Sequence, residues 1–184
     1  MPLVFFNPRL FPEPRASDAL VSHVDLLPTL ASLIDAPDAA RADWQGVDYS
    51  ALLRLQVRDP SAPLPHIQDD IIFTYDDLRC AQNVIQLVPP PNRIVSIREA
   101  RYKLARYYDG DGIEPDQWEM YDLESDPEER VNLAVAVPDQ PLTAEQSAAR
   151  ERLTAKLWEA EATRLQPLLS FPLEPGERDH PLGR

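Results

Sequence analysis

Cysteine, histidine and glycine are scarce in this 184-residue sequence. The single Cys80 excludes an intramolecular disulfide and any metal site built from several cysteines, and we interpret it as a small, partly buried apolar residue. The five glycines are too widely spaced for a phosphate-binding loop or a dinucleotide fingerprint, and no G-x-S-x-G is present. The sequence therefore excludes the enzyme classes that these motifs define.

Positive charge and long apolar runs are also lacking. Lys and Arg number 18 against 31 Asp and Glu, which gives a net charge of −13. Because a negative field repels phosphate backbones, we expect no nucleic-acid partner. No run approaches the roughly 18 apolar residues that span a membrane, so no membrane span is expected. The N-terminal MPLVFFNPRLFPEP is broken by prolines and has no basic lead, so it does not resemble a signal peptide.

Proline, in contrast, is abundant, and its 20 residues cluster where connections or extended segments are expected. These clusters divide the chain into residues 1–60, residues 66–168 and a disordered tail at 169–184. Hydrophobic residues make up 43%, which is enough for a modest core.

The first part predicts a strand and a helix. Pro2–Phe6 is a short apolar run typical of a buried strand, whose sheet neighbours would have to come from sequence outside this chain. Ser22 to about Asp35 predicts one amphipathic helix, with Asp25 as N-cap and Pro28 in the first turn. A short helical turn is predicted near Ser50–Leu55. The helix has an apolar face formed by Leu26, Leu27, Leu30, Leu33 and Ile34.

The second part predicts an antiparallel sheet covered by a helix. Four β-rich segments, DIIFTY, RIVSIRE, YKLARYY and WEMYDL, alternate with turn residues between Asp70 and Leu123. Thr143 and Gln146 form a capping-box pattern that opens a helix running to about Leu165. Its stripe of Leu153, Leu157, Ala160 and Arg164 is expected to cover the sheet.

Two acidic patterns suggest metal sites, and we interpret both as structural. Asp69-Asp70 and Asp76-Asp77 lie at opposite ends of a predicted strand, about 20 Å apart, so they cannot share an ion. The DGDGIEPD segment (Asp109, Asp111, Glu114 and Asp116) resembles a calcium loop, but Ile113 and Met120 occupy ligand positions. A polar hairpin turn is the better interpretation.

The three histidines, His23, His66 and His180, are too scattered for a zinc site. His23 lies beside Ser22 and Asp25, but members of a catalytic triad normally converge from separate segments. We therefore interpret Ser22, His23 and Asp25 as helix-capping residues. Considered without any family resemblance, the sequence predicts no catalytic, cofactor-binding or metal-binding residue.

Three ordered strings resemble the C-terminal third of sulfatases in the alkaline-phosphatase superfamily. They are PLV at residues 2–4 with SHVDLLPTL at 22–30, WQGVD at 44–48, and RYKL at 101–104 with EMYDLESDPEERVNLA at 119–134. The resemblance implies an α+β fold: the end of a sulfatase α/β core (a strand plus an amphipathic helix), followed by a small antiparallel β-sheet subdomain with a packed C-terminal helix. Asn132 is expected to bond its own backbone while Leu133 folds back onto the sheet.

The resemblance implies chemistry that this chain does not carry. Sulfatases use a C/S-x-P-x-R motif converted to formylglycine, and a calcium ion held by Asp and Asn or His residues. Cys80 lies in LRCAQN, which does not match that motif, and no metal segment can be carried over. Met1 falls just after the position of the second metal segment, so we expect a truncated gene or a start codon assigned inside a longer reading frame.

Three hypotheses follow from this resemblance. The chain is a C-terminal fragment of a sulfuric ester hydrolase, inactive alone, whose packing partner is the missing N-terminal core and whose sulfate ester substrate belongs to the full-length parent. Alternatively, the parent is a phosphonate or phosphate ester hydrolase of the same superfamily, or the chain is a non-catalytic binding module. The compartment, cytoplasm or periplasm, stays open.

Overall fold

A computed structural model describes residues 3–11, 13–37, 44–59, 61–75, 91–110, 112–135 and 141–165. After one turn of 3-10 helix at His23–Asp25 come helices α1 (Leu26–Leu33) and α2 (Ser50–Arg58). Strands β1 (Ile71–Tyr75), β2 (Arg93–Arg98), β3 (Tyr102–Tyr108) and β4 (Gln117–Asp122) follow, and helix α3 (Ala144–Thr163) comes last. The α+β fold class is confirmed, and α2 is longer than the predicted turn at Ser50–Leu55.

The four strands form one antiparallel sheet in the order β1-β2-β3-β4. Ile72, Ile97, Leu104 and Met120 lie opposite one another across it. Because side chains alternate along a strand, these four project from the same face, and the last three are fully buried. The predicted antiparallel sheet is therefore confirmed.

Helix α3 covers that face. Its N-terminus has the predicted capping box, in which the Gln146 amide donates to Thr143 Oγ1 (3.2 Å) and the Thr143 amide donates to Gln146 Oε1 (2.9 Å). Leu153 and Leu157 are fully buried in one hydrophobic core with the strand residues. Arg164, which the pattern placed on the same stripe, is instead the exposed C-cap and pairs with Asp70 at 3.4 Å. The helix ends at Thr163, and residues 162–165, at the end of the predicted helix, are exposed to solvent.

The outer edge of β4 is closed by the segment that follows it. Asn132 Oδ1 accepts from the amides of Met120 (3.0 Å) and Ala134 (2.9 Å), and its Nδ2 donates to the carbonyl of Trp118 (3.1 Å). The Leu133 amide donates to the Met120 carbonyl at 2.8 Å. The predicted fold-back is confirmed. The Asn132 side chain forms hydrogen bonds with backbone groups that would be unpaired if β4 were an exposed edge strand.

The predicted strand at Pro2–Phe6 is wrong for its described residues, 3–6. They lie in irregular chain, with Leu3, Val4 and Phe6 exposed, and the sheet consists of β1 to β4. Phe5 makes an edge contact with the Tyr49 ring, with ring centroids 6.0 Å apart. A strand needs a hydrogen-bonded neighbour, and the described residues supply none here.

Packing separates the helices into two groups. Helix α1 packs on α2, whereas α3 packs on β2 and β3. This grouping follows the predicted division at residues 60–66, which remains a prediction. The predicted tail at 169–184 lies outside the described residues.

Candidate functional site

Helix α1 presents its apolar side chains outward and its polar or small ones inward. Asp25, Pro28, Thr29 and Ala31 are buried. The side chains of the apolar row, defined here as Leu26, Leu27, Leu30, Leu33 and Ile34, are all exposed, from 36% at Leu33 to 76% at Ile34. A helix of a folded domain normally buries its apolar stripe, so α1 has the opposite arrangement.

The buried Asp25 carboxylate fixes this orientation. It accepts hydrogen bonds from the Ser22 amide (2.6 Å), the Val47 amide (2.7 Å) and Gln68 Nε2 (2.8 Å). These donors come from the start of the helix, from the loop before α2 and from the segment before β1. Because a buried carboxylate is stable only when its oxygens are bonded, these contacts hold the polar face of α1 inside.

Thr29 continues the same contact one turn later. Its hydroxyl donates to the Asp25 carbonyl (2.7 Å) and accepts from the Tyr49 amide (3.0 Å). Gly46 allows the close approach, since a Cβ at this position would lie 2.0 Å from the Val24 carbonyl oxygen. The strings SHVDLLPTL and WQGVD are therefore two halves of one packed structure.

The third string forms a second structural cluster. Arg101 Nε and Nη2 each lie 2.9 Å from an oxygen of the buried Asp122 carboxylate, and Nη1 lies 2.7 Å from Glu145. The bonds from Arg101 lower the pKa of Asp122 to about 2. The carboxylate thus stays ionised, and Arg101 joins the end of β4 to the first turn of α3.

The first acidic pair, Asp69-Asp70, contacts basic side chains within the sheet–helix part. Asp70 lies 3.0 Å from Lys156, whose Nζ is also 2.7 Å from Glu99, and Asp69 lies 3.0 Å from His66. Hydrogen bonds from Arg152 lower the pKa of Glu99. These contacts attach α3 to the ends of the strands, whereas the second pair, Asp76-Asp77, lies outside the described residues.

The acidic segment after β3 is a hairpin connection, as predicted. Asp109 Oδ2 accepts from the amides of Ile113 (3.0 Å) and Glu114 (3.1 Å). Gly112 has a φ of +69°, a conformation that glycine adopts without strain. Asp116 lies 2.6 Å from Arg106, so the carboxylates of Asp109 and Asp116 have different partners.

Ser22, His23 and Asp25 do not converge into a triad. His23 is exposed within the 3-10 turn, whereas Asp25 is buried and bonded to the Ser22 amide. This arrangement agrees with the helix-capping interpretation. Cys80 and His180 lie outside the described residues.

The calcium ion that the family resemblance implies does not fit the described residues. Among them, no group of three or more His, Cys, Asp or Glu side chains converges to hold a metal ion. In the same described part of the chain, no helix is long and apolar enough to cross a membrane.

One cleft of about 370 Å³ lies at the end of the sheet beside α3. Arg106 lines this cleft, and its guanidinium carbon lies 4.7 Å from the ring centroid of Tyr108 and 4.6 Å from that of Trp158. The guanidinium also forms ion pairs with Asp116 and Glu161. The two carboxylates already occupy the guanidinium, so its role here is packing. Sequence reasoning missed this cluster because its residues come from β3, the following loop and α3.

Comparison with known proteins identifies the fold. The family model described as N-sulphoglucosamine sulphohydrolase, C-terminal, matches residues 1–159. A Δ4,5-hexuronate-2-O-sulfatase from Bacteroides thetaiotaomicron is 31% identical over 136 residues, which are 73% of this chain and 24% of that protein.

Two solved structures share the fold, each with a TM-score of 0.50. One is of a protein in complex with its substrate D-glucosamine-2-N,6-O-disulfate, 22% identical, with 75% of this chain matching 23% of that one. The other is of a protein from a genetic locus for glycosaminoglycan metabolism in Bacteroides thetaiotaomicron, 23% identical, with 76% of this chain matching 26%. This chain thus spans about a quarter of the length of these relatives. The chain belongs to the N-sulphoglucosamine sulphohydrolase C-terminal family, and it corresponds to the C-terminal portion of a sulfatase.

Proposed function

We propose that this chain acts as the C-terminal domain of a sulfuric ester hydrolase and is inactive without the rest of the enzyme. In this proposal a separate catalytic region, corresponding to the three quarters of the relatives that the chain does not match, supplies the formylglycine nucleophile and the calcium ion.

The observation that carries this proposal is the role of the family strings. Apart from PLV, these strings hold the domain together: Asp25 and Gly46 join α1 to the next loop, and Arg101 joins Asp122 of the sheet to α3. Asp25 and Asp122 are buried and bonded to donors of this chain, so their carboxylates are already occupied. The contribution of this domain is therefore packing and support.

The assay that tests the proposal compares two proteins. The isolated chain is given an aryl sulfate ester over a range of calcium concentrations, and no turnover is expected. The second protein fuses the chain to the part of the Bacteroides sulfatase that it does not match, and is assayed on a 2-O-sulfated Δ4,5-hexuronate, the substrate class in the name of that relative. Activity of the fusion is expected. Turnover by the isolated chain would contradict the proposal.

Matched phosphate and phosphonate esters separate the alternative parent class. We expect the natural full-length enzyme to favour the sulfate ester. A preference for the phosphorus esters would overturn the sulfatase assignment while leaving the structural role of this domain intact.

A further inference from the structure

The packing of the described residues leaves the apolar row of α1 without a cover. Five apolar side chains with no charged residue among them lie on one face of a short helix, each at least 36% exposed. Apolar side chains exposed singly are ordinary, but a contiguous group of this kind indicates a surface that another body covers.

The row cannot be buried by a rotation of α1 within this chain. Turning the helix would expose the Asp25 carboxylate and break its three hydrogen bonds, and would withdraw Thr29 from Tyr49. Arg54 of α2 adds a further restraint through a 2.5 Å bond to the Ser32 carbonyl. The contacts of Asp25, Thr29 and the Ser32 carbonyl therefore fix the orientation of α1.

The contrast with α3 makes the same point. Leu153, Leu157 and Ala160 of the α3 stripe are fully buried within this chain. Helix α1 packs on α2 and makes no comparable contact with the sheet in the described residues. The apolar face of α3 is therefore covered by the sheet, whereas the apolar row of α1 is left uncovered by the described residues.

We infer that the apolar row of α1 is the surface through which this domain docks onto the catalytic region of the sulfatase. The inference rests on the proposed function and adds its partner surface. The occupant follows from two observations: α1 lies inside the segment that matches the sulfatase family, and that segment is only about a quarter of the relatives. An uncharged row favours an apolar, preformed partner surface over a charged ligand, because charged groups are depleted at the centre of protein interfaces.

Thiol labelling tests the docking without relying on activity. Leu27, which is 53% exposed, is changed to cysteine in a Cys80→Ser background, and Ile113→Cys, at 80% exposure on the far hairpin, is the matched control. We expect the Leu27→Cys variant to react at least tenfold more slowly with a thiol reagent in the fusion than in the isolated chain. The control is expected to react equally fast in both. Equal reaction rates at position 27 in the two proteins would overturn the inference.

A charge substitution gives a second, functional readout. Leu30→Glu is expected to lower the activity of the fusion at least tenfold, whereas Ile113→Glu leaves it unchanged. Failure of the two proposals can be told apart. A fusion that protects position 27 but has no sulfatase activity contradicts the proposed function alone. A fusion that is active while position 27 stays reactive and Leu30→Glu has no effect contradicts only the docking surface.

Discussion

Gln68 Nε2 lies 2.8 Å from Asp25 Oδ2, across 43 positions of sequence. The same amide nitrogen donates to the Leu20 carbonyl at 3.0 Å. Gln68 precedes β1 and Asp25 precedes α1, so this pair links the helical N-terminal part of the chain to the sheet. It also explains why the two parts stay associated although α1 and α2 make little contact with the strands.

Removal of the Asp25 carboxylate should destabilise the N-terminal part. Asp25→Ala removes the acceptor of three part-buried hydrogen bonds. We expect a loss of about 3 kcal/mol in the free energy of unfolding, because each bond to a charged acceptor is worth about 1.5–3 kcal/mol and the loop relaxes in part. Urea unfolding followed by circular dichroism measures it. Asp18→Ala, at an exposed position, is the control and should change stability by less than about 0.5 kcal/mol.

A methyl group at Gly46 should disrupt the same contact. Its Cβ would meet three backbone atoms, at 2.0 to 2.8 Å, none of which can move without shifting the start of α1. We expect Gly46→Ala to cost at least about 2 kcal/mol, the range for overpacking a closely packed position. Gly112→Ala meets no atom within 4 Å, and its positive φ should cost only about 1 kcal/mol. Equal losses for the two variants would contradict the close approach.

Acid should weaken the attachment of α3 to the sheet. The pKa of Asp122 falls from 3.8 to about 2 in the folded protein because Arg101 bonds both of its oxygens. The unfolded chain therefore takes up a proton first, and the stability from this carboxylate is complete above about pH 4 and lost as the pH falls towards 2. Urea midpoints measured from pH 5 to pH 2 should fall.

Asp122→Asn tests the origin of this pH dependence. The amide cannot titrate, so the variant is expected to be less stable near pH 5 but to lose less on acidification. Asp18→Asn should keep the slope of the parent protein. A slope unchanged in Asp122→Asn would assign the acid sensitivity to other carboxylates, of which Glu99 is the next candidate because its pKa is also lowered.

Identical truncations on α1 and α3 should have unequal effects in the isolated chain. Leu157 is fully buried, so Leu157→Ala should lose about 2–5 kcal/mol through lost burial and a cavity. Leu30 is 44% exposed, so Leu30→Ala should lose less than about 1 kcal/mol. Urea unfolding of both variants measures the difference, and a comparable loss at Leu30 would mean that this chain buries the row.

The sheet and α3 could be predicted because their signals are local. Alternation in RIVSIRE and YKLARYY fixed which side chains share a face, and Thr143 with Gln146 marked the start of the helix. The leucines of α1 likewise predicted a helix, but spacing alone cannot say what lies against a face. That answer depends on Asp25, whose three partners come from three separate segments.

The errors have the same origin. Residues 3–6 have the composition of a strand, but composition does not provide a neighbour to pair with. The position of Arg106 between Tyr108 and Trp158 could not be predicted from local sequence, because Trp158 lies on α3, far along the chain from β3. The lack of a C/S-x-P-x-R motif can be read from the sequence because this motif is short and contiguous.

Hydrogen exchange of the isolated chain tests the central claim most directly. The claim is that the sheet and α3 form a stable core by themselves, whereas α1 needs a partner surface to be fully stable. We expect amides at Ile97, Leu104 and Met120, whose side chains are fully buried, to exchange at least about 100-fold more slowly than amides in Leu30–Leu33. Protection of the α1 amides equal to that of the strands would contradict this division, because it would mean that α1 is already part of a complete and stable core.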